Sequence, residues 1–187
     1  MGNSVFAPSV AAVNSVLMLN PHPPLTVAEA SHLAQVPHAV AKSALDTLAK
    51  RGLAQALFRN DQLTYEPNQH SPHYLTAYRA AIVDLPWIES LEKAGVSRAQ
   101  VLAIFVHGSI ARGSAGSKSD IDVLVISGVE PVRVIMAFQA IGEMTDRTID
   151  PAVFKAEKIS ERIDAGDAAM AAILRDGIRV WGEFSNE

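Results

Sequence analysis

Two aspartates, Asp120 and Asp122, are one residue apart near the start of an apolar run in the second half of the chain. Because alternate residues of a strand lie on one face, we predict that the two carboxylates point the same way, roughly 7 Å apart. Like charges at that distance repel each other unless a cation lies between them, and carboxylate oxygens suit Mg²⁺. The pair predicts a metal site, with a hairpin loop carrying two solvated aspartates as the alternative.

A second apolar run, residues 101–106, leads into Gly108-Ser109, and ten residues lie between Ser109 and Asp120. A Gly-Ser turn at a helix start offers unpaired backbone N–H groups and a hydroxyl, which together can hold phosphate. A metal clamp that faces a phosphate cradle is the apparatus of nucleotidyl transfer.

The residues from Phe105 to Ile126 closely resemble the signature of the polymerase-beta-like nucleotidyltransferase superfamily. The fuller pattern, Gly-Ser-Ile-Ala-Arg-Gly-Ser-Ala followed by Ser-Asp-Ile-Asp, is similar to its minimal nucleotidyltransferase branch. The resemblance implies a nucleoside triphosphate substrate, ATP in our interpretation, and one or two Mg²⁺ ions held by Asp120 and Asp122. It also implies that Gly108 and Ser109 bind the triphosphate.

Enzymes of this superfamily use a third carboxylate on a later strand, as general base or as ligand of a second metal. Asp150 follows the next helical segment and falls within residues 147–154, which alternate like a strand. We therefore predict Asp150 as a third catalytic and metal-binding residue. The alternative is a strand-end cap, because Asp-Pro commonly starts a turn.

Five further residues have less specific signals. Arg112 is predicted to contact the triphosphate or, alternatively, to pair with a surface carboxylate. Ser119 is predicted to belong to the nucleotide-binding residues, with the role of orienting the loop rather than performing chemistry. His107 is expected to be packed or solvated, and His70 and His73 are interpreted as linker because no cysteine accompanies them.

The first third of the chain has a different pattern, in which three helical segments precede a hairpin. The predicted elements are a helix over 9–19, a helix from a capping box at Thr26 to about Gln35, a helix ending at Arg51, and strands over 53–58 and 63–66. This order is that of a winged helix-turn-helix, and residues 41–53 resemble the recognition helix and wing entry of bacterial repressors.

A winged helix that reads DNA needs cations over the phosphates. The predicted DNA-binding residues are Lys42, Ser43, Lys50 and Arg59. Up to position 85 the chain has five basic and five acidic residues, so the formal net charge of −4 lies in the remainder. Neutrality argues against tight binding by a monomer, and a homodimer is expected. The alternative is a winged helix used for dimerisation or protein contact.

We expect an α+β protein in which a winged helix-turn-helix precedes a minimal nucleotidyltransferase fold, a mixed β-sheet flanked by helices. The predicted domains are residues 1–68, a connecting helix over 69–85, and residues 86–187. The absence of cysteine excludes disulfides and thiolate zinc sites. Apolar stretches are shorter than the ~20 residues of a membrane span, and no signal peptide is recognisable, so a cytoplasmic protein without a membrane partner is expected.

Three classes of function agree with these patterns. The first is an enzyme that transfers AMP to a protein hydroxyl, because minimal nucleotidyltransferases with this motif resemble antitoxins that adenylylate a partner toxin, often an HEPN-type ribonuclease. The second is a DNA-binding regulator whose nucleotidyltransferase-like domain senses a nucleotide without turnover. The third, ranked last, is transfer to a small molecule such as an aminoglycoside.

Overall fold

The structure is a computed structural model that describes residues 6–184. The helices are α1 Pro8–Leu19, α2 Val27–Leu33, α3 His38–Lys50, α4 Tyr74–Val83, α5 Trp87–Lys93, α6 Gly108–Arg112, α7 Pro131–Thr145, α8 Ala156–Asp164 and α9 Ala168–Asp176. The strands are β1 Leu25–Thr26, β2 Ala54–Arg59, β3 Gln62–Pro67, β4 Val101–His107, β5 Ile121–Ser127, β6 Ile149–Phe154 and β7 Ile178–Gly182. None of the helices described is long and apolar enough to cross a membrane.

The chain divides into two compact units. The first runs to Leu85 and includes Glu143–Asp146, and the second comprises Pro86–Gly142 and the chain from Arg147 onward. The expected winged helix-turn-helix segment lies in the first unit and the Gly-Ser and aspartate motifs lie in the second.

The helices of the first unit pack through fully buried apolar faces. Their buried residues include Val13, Val16 and Leu17 of α1, Ala41, Leu45 and Leu48 of α3, and Ala81 and Ile82 of α4. Two buried polar side chains also join α1 to α4, since Asn14 donates to the carbonyl of Ala77 at 3.0 Å and Ser15 to that of Ala81 at 2.8 Å. The predicted connecting helix therefore packs directly on α1.

The predicted capping box and hairpin are both confirmed. Thr26 accepts a hydrogen bond from the Glu29 amide, and the Glu29 carboxylate accepts from the Thr26 amide. Asn60 and Asp61, with φ of 48° and 60°, form the turn between β2 and β3. The three-stranded sheet has the order β1-β3-β2 and is antiparallel throughout. Strand β1, only two residues long, has no periodicity and was not predicted.

The second unit is built on a four-stranded sheet with the order β6-β5-β4-β7. Strand β5 pairs with β4 antiparallel and with β6 parallel, so the sheet is mixed, as predicted. Helices α8 and α9 cover one face through a cluster consisting of Ala103, Phe105, Leu124, Ile126, Ile159 and Met170. On the other face the alternate residues of β4 and β5 are also buried, and Trp87 of α5 meets Phe138 of α7 edge to face at 5.3 Å.

Candidate functional site

A row of polar residues crosses the sheet of the second unit at one end. Asp122 on β5 is paired with His107 on β4 and with Asp150 on β6. Residues paired across neighbouring strands point to the same face, and this face is the one that carries Phe105 and Leu124 into the core. The sheet face is therefore apolar under α8 and α9 and becomes polar where β4 ends and β5 and β6 begin.

Gly108 lies directly against the carboxylate of Asp122. Its φ is +69°, a conformation that favours glycine, and an added Cβ would overlap the Oδ2 atom of Asp122. The close approach brings the backbone of the predicted phosphate cradle next to the predicted metal ligand. Gly108 is thus required twice, by its backbone conformation and by the space that Asp122 fills.

Helix α6 begins at Gly108, as predicted, but it has only five residues. No side chain caps its first turn, and Gly113, with φ of 69°, ends it. Ser109 is half-buried at its start, and Arg112 is its exposed last residue. A helix this short adds little dipole, so any phosphate affinity must come from the local N–H groups and the Ser109 hydroxyl.

Asp120 is the last residue of an exposed loop, immediately before β5. Ser119 orients this loop, since its hydroxyl accepts from the Gly116 amide at 3.0 Å. Asp150 is the second residue of β6 rather than a mid-strand residue as expected, because β6 begins at Ile149. Pro151 follows within the strand, which is possible because β6 lies at the edge of the sheet.

Arg147 is a residue of this region that the motifs did not single out. Its Nη1 atom donates to the carbonyls of Gly116, at 2.9 Å, and Ser119, at 2.7 Å. The only sequence signal is its place three residues before Asp150, and nothing in the sequence indicates that the loop before Asp120 returns to meet it.

A cleft of about 360 Å³ adjoins Gly108. It lies between α6 and α9, and its lining includes His107, Ala111, Arg112, Ala169, Ala172 and Ile173. Burial lowers the pKa of His107, and the nearby charge of Arg112 acts in the same direction, whereas those of Asp122 and Asp150 raise it. The imidazole is half-buried, between the packed and the solvated states that the sequence suggested.

The donor set suits a hard cation only in part. Among residues 6–184, no group of three or more His, Asp or Glu side chains is placed to hold a metal ion without further ligands. The three aspartates predicted to bind metal are therefore not a ready-made cage. Mg²⁺ is commonly held by one or two carboxylates together with substrate phosphates, and Asp122 beside Gly108 and Asp150 fits that arrangement.

The predicted DNA-binding residues lie on α3 and the hairpin. Lys42 forms an ion pair with Asp46 at 2.5 Å, and Arg59 pairs with Glu66 at 3.3 Å. Ser43 and Lys50 are exposed on α3. The Lys42 ammonium and the hydroxyl of Tyr65 lower the pKa of Asp46, so one carboxylate joins α3 to β3.

Residues 88–165 match the family model of the nucleotidyltransferase domain. The matched segment contains Gly108, Ser109 and all three predicted carboxylates, and it ends before α9 and β7. The match supports a nucleotidyltransferase domain here and, with it, a transferase activity in general. No curated protein and no solved structure matches the chain.

Proposed function

We propose that this protein is a Mg²⁺-dependent nucleotidyltransferase that moves AMP from ATP to a protein hydroxyl, and that it carries a DNA-binding regulatory domain. The observation that best supports this proposal is the close contact between the Gly108 backbone and the Asp122 carboxylate, both within the segment that matches the family model. It joins a backbone suited to phosphate to a carboxylate suited to metal, with Asp150 paired alongside.

The nucleotide is held in this proposal by the residues around the start of α6. Gly108 and Ser109 bind the β- and γ-phosphates through their amides and the Ser109 hydroxyl, and Arg112 contributes a cation. Asp120 and Asp122 would hold one or two Mg²⁺ ions, with Asp150 as a further ligand or a base. A metal ion held there would supply positive charge that offsets the negative charge of the α-phosphate and of the leaving pyrophosphate.

The transfer step is an in-line displacement. The acceptor oxygen forms a bond to the α-phosphorus while the bond from that phosphorus to the bridging oxygen breaks, and pyrophosphate leaves with the bonding electrons. Asp150 accepts the proton of the acceptor hydroxyl. Its position in register with Asp122, at the open edge of the sheet, supports this role.

The elements after β6 complete the second unit. Helices α8 and α9 cover the sheet through the core cluster, and β7 completes the sheet against β4. The choice of a protein hydroxyl as acceptor rests on the resemblance of the motif from Gly108 to Asp122 to that of antitoxins that adenylylate a partner toxin.

For the first unit we propose a winged helix-turn-helix over residues 1–68 that binds operator DNA as a homodimer. The order of α1, β1, α2, α3 and the β2–β3 hairpin, with a β1-β3-β2 sheet, supports it. This unit also favours a second candidate function, a regulator that senses a nucleotide without turnover.

Incubation with labelled ATP, GTP, CTP and UTP and Mg²⁺, alone and with the product of the neighbouring gene, tests the enzyme. The expected result is transfer of label from ATP to the partner protein, absent in Asp122→Asn. If no nucleotide labels any protein or small molecule, the proposed transferase activity is contradicted. The remaining candidate is then a regulator that senses a nucleotide without turnover.

A further inference from the structure

The loop between α6 and β5 is held by a side chain from outside the loop. Residues 113–120 leave the helix at Gly113 and reach β5 with most of their side chains exposed. Apolar burial therefore does little to position this segment. Its own hydrogen bonds are local, such as that from the Ser114 amide to the Ser109 carbonyl at 3.0 Å.

The Arg147 guanidinium makes the non-local connection. Its Nη1 atom donates to the carbonyls of both Gly116 and Ser119, which brackets the second half of the loop. Hydrogen bonds from a charged donor are stronger than neutral ones, and the Gly116 carbonyl accepts this one in addition to the local bond from the Ser119 amide at 3.2 Å.

The contact has a direct consequence for Asp120. The carbonyl of Ser119 belongs to the peptide group that includes the amide nitrogen of Asp120, so fixing that carbonyl fixes the backbone from which the carboxylate projects. The next residue, Ile121, donates its amide to the carbonyl of Thr148 at 2.9 Å. Arg147 and Thr148 thus attach the backbone on both sides of Asp120 to the segment that leads into Asp150.

We propose that Arg147 is the positioning residue for Asp120. It holds the loop so that the Asp120 carboxylate stays in place relative to Asp122 and Asp150, and the inference rests on the proposed function of those carboxylates. Because the described residues form no three-ligand cage, placing one carboxylate correctly matters more for the capture of a metal with its nucleotide. Outer-shell contacts of this kind are typically worth about 10–100-fold in metal affinity or activity.

A matched control exists in the same unit. Arg133 on α7 also donates from one guanidinium nitrogen, Nη2, to two backbone carbonyls, those of Ala94 at 3.3 Å and Gly95 at 2.9 Å. These carbonyls follow α5 and do not belong to the candidate site. Arg147→Met and Arg133→Met therefore each remove a guanidinium that bridges two backbone carbonyls, the first at the site and the second away from it.

The first measurement is tryptic cleavage of the full-length apoprotein after Lys118, an exposed residue between the two bonded carbonyls. Arg147→Met is expected to accelerate this cleavage by about tenfold or more, because the open form of the loop becomes more populated. Arg133→Met should cleave there at the wild-type rate. Equal cleavage rates after Lys118 in the wild type and Arg147→Met would overturn the inference, whatever the activity of the protein.

The second measurement follows the melting temperature as Mg²⁺ is added at a fixed concentration of ATP. The quantity compared is the Mg²⁺ concentration that gives half of the maximal rise in melting temperature. Arg147→Met is expected to raise it about 10-fold or more, while Arg147→Lys recovers part of the loss and Arg133→Met leaves it unchanged. If both methionine variants raise it equally, Arg147 serves general stability and the inference is wrong. If the wild type gains no stability from Mg²⁺ and ATP, the proposed function fails, whereas the cleavage result still reports on the loop.

Discussion

At the level of single residues, the Gly108 backbone lies directly against the Asp122 carboxylate. Gly108 combines a φ of +69° with a neighbour that occupies the place of a Cβ. Gly166 offers a comparison, since it has a φ of +80° and, apart from its chain neighbours, no atom lies within 4 Å of the position that a Cβ would occupy. Comparing alanine substitutions at the two glycines separates the free-energy cost of the backbone conformation from that of the contact with Asp122.

Gly108→Ala is expected to destabilise the protein more than Gly166→Ala. Each substitution places a non-glycine residue in the left-handed region, which costs roughly 1–2 kcal/mol. Gly108→Ala must also displace Asp122, and it should abolish stabilisation by Mg²⁺ and ATP. Urea denaturation and thermal shift measure the two effects. Equal stability losses, with nucleotide binding retained in Gly108→Ala, would contradict the assignment of this contact to the site.

The paired charges predict a second effect at this scale. Mg²⁺ and ATP should raise the melting temperature of the wild type, and a ligand at 100 times its Kd is worth about 2.7 kcal/mol. Asp120→Asn combined with Asp122→Asn should lose this gain without unfolding, because removing like charges costs the apoprotein little.

Asp164→Asn is the control for that double variant, since it removes an exposed carboxylate at the end of α8. It should keep the full thermal shift. An undiminished shift in the double variant would show that the nucleotide binds elsewhere.

At the level of elements, α3 and the hairpin are joined through Asp46, which accepts from Lys42 and from the Tyr65 hydroxyl. This contact changes how DNA binding should be tested. Lys42→Ala removes one partner of a structural carboxylate as well as a cation, so a loss of DNA affinity in that variant has two explanations. Lys50 of α3 is the cleaner probe, whereas Arg59 of β2 pairs with Glu66 at 3.3 Å, so the Arg59 variant is interpreted together with the Lys50 variant.

Lys50→Ala and Arg59→Ala are each expected to weaken binding to the promoter of the gene for this protein. If each side chain contacts a phosphate, the slope of log K against log salt should fall by about one per substitution. Arg79→Ala, an exposed cation on α4, is the control and should leave the slope unchanged. Unchanged affinity in the Lys50 and Arg59 variants would indicate a protein-contact module instead.

The sequence predicted the elements well where the signal is local. The capping box at Thr26, the turn at Asn60 and the alternation of residues 147–154 each act within a few residues, and the structure has all three elements, with the strand beginning at Ile149. Pairing between distant segments has no such signal. Strand β1 forms because Leu25 and Thr26 meet Tyr65 and Thr64, about forty residues away, and a two-residue strand shows no period of its own.

The candidate site divides in the same way. The spacing of Gly108, Asp120 and Asp122 indicated a single site, since one loop joins them. The register that sets Asp150 beside Asp122 depends on parallel pairing of β5 with β6, which only the folded sheet reveals. The contacts of Arg147 with Gly116 and Ser119 cross about thirty residues and left no pattern in the sequence.

At the level of the whole molecule, a proposed DNA reader and a proposed nucleotide site occupy the same chain. If nucleotide binding changes DNA affinity, then DNA must change nucleotide affinity by the same factor, because the coupling is reciprocal at equilibrium. This coupling is expected of the sensor. The enzyme requires no coupling but does require a group that accepts the proton of the acceptor hydroxyl.

Asp150→Asn separates the two functions, because it removes the charge of the proposed base while keeping the size of the side chain. General-base assistance is typically worth ~10²–10⁴-fold in rate, so in an enzyme this variant should lose at least ~10²-fold of labelled-nucleotide transfer. Nucleotide binding should stay within a few-fold of the wild type, since Gly108, Ser109, Asp120 and Asp122 remain. Transfer assays, thermal shift and promoter binding with and without ATP measure the three quantities. If the wild type transfers no label, and ATP still changes promoter binding in Asp150→Asn, the protein is a sensor. The Asp150 carboxylate would then be needed neither for nucleotide transfer nor for the effect of ATP on DNA binding.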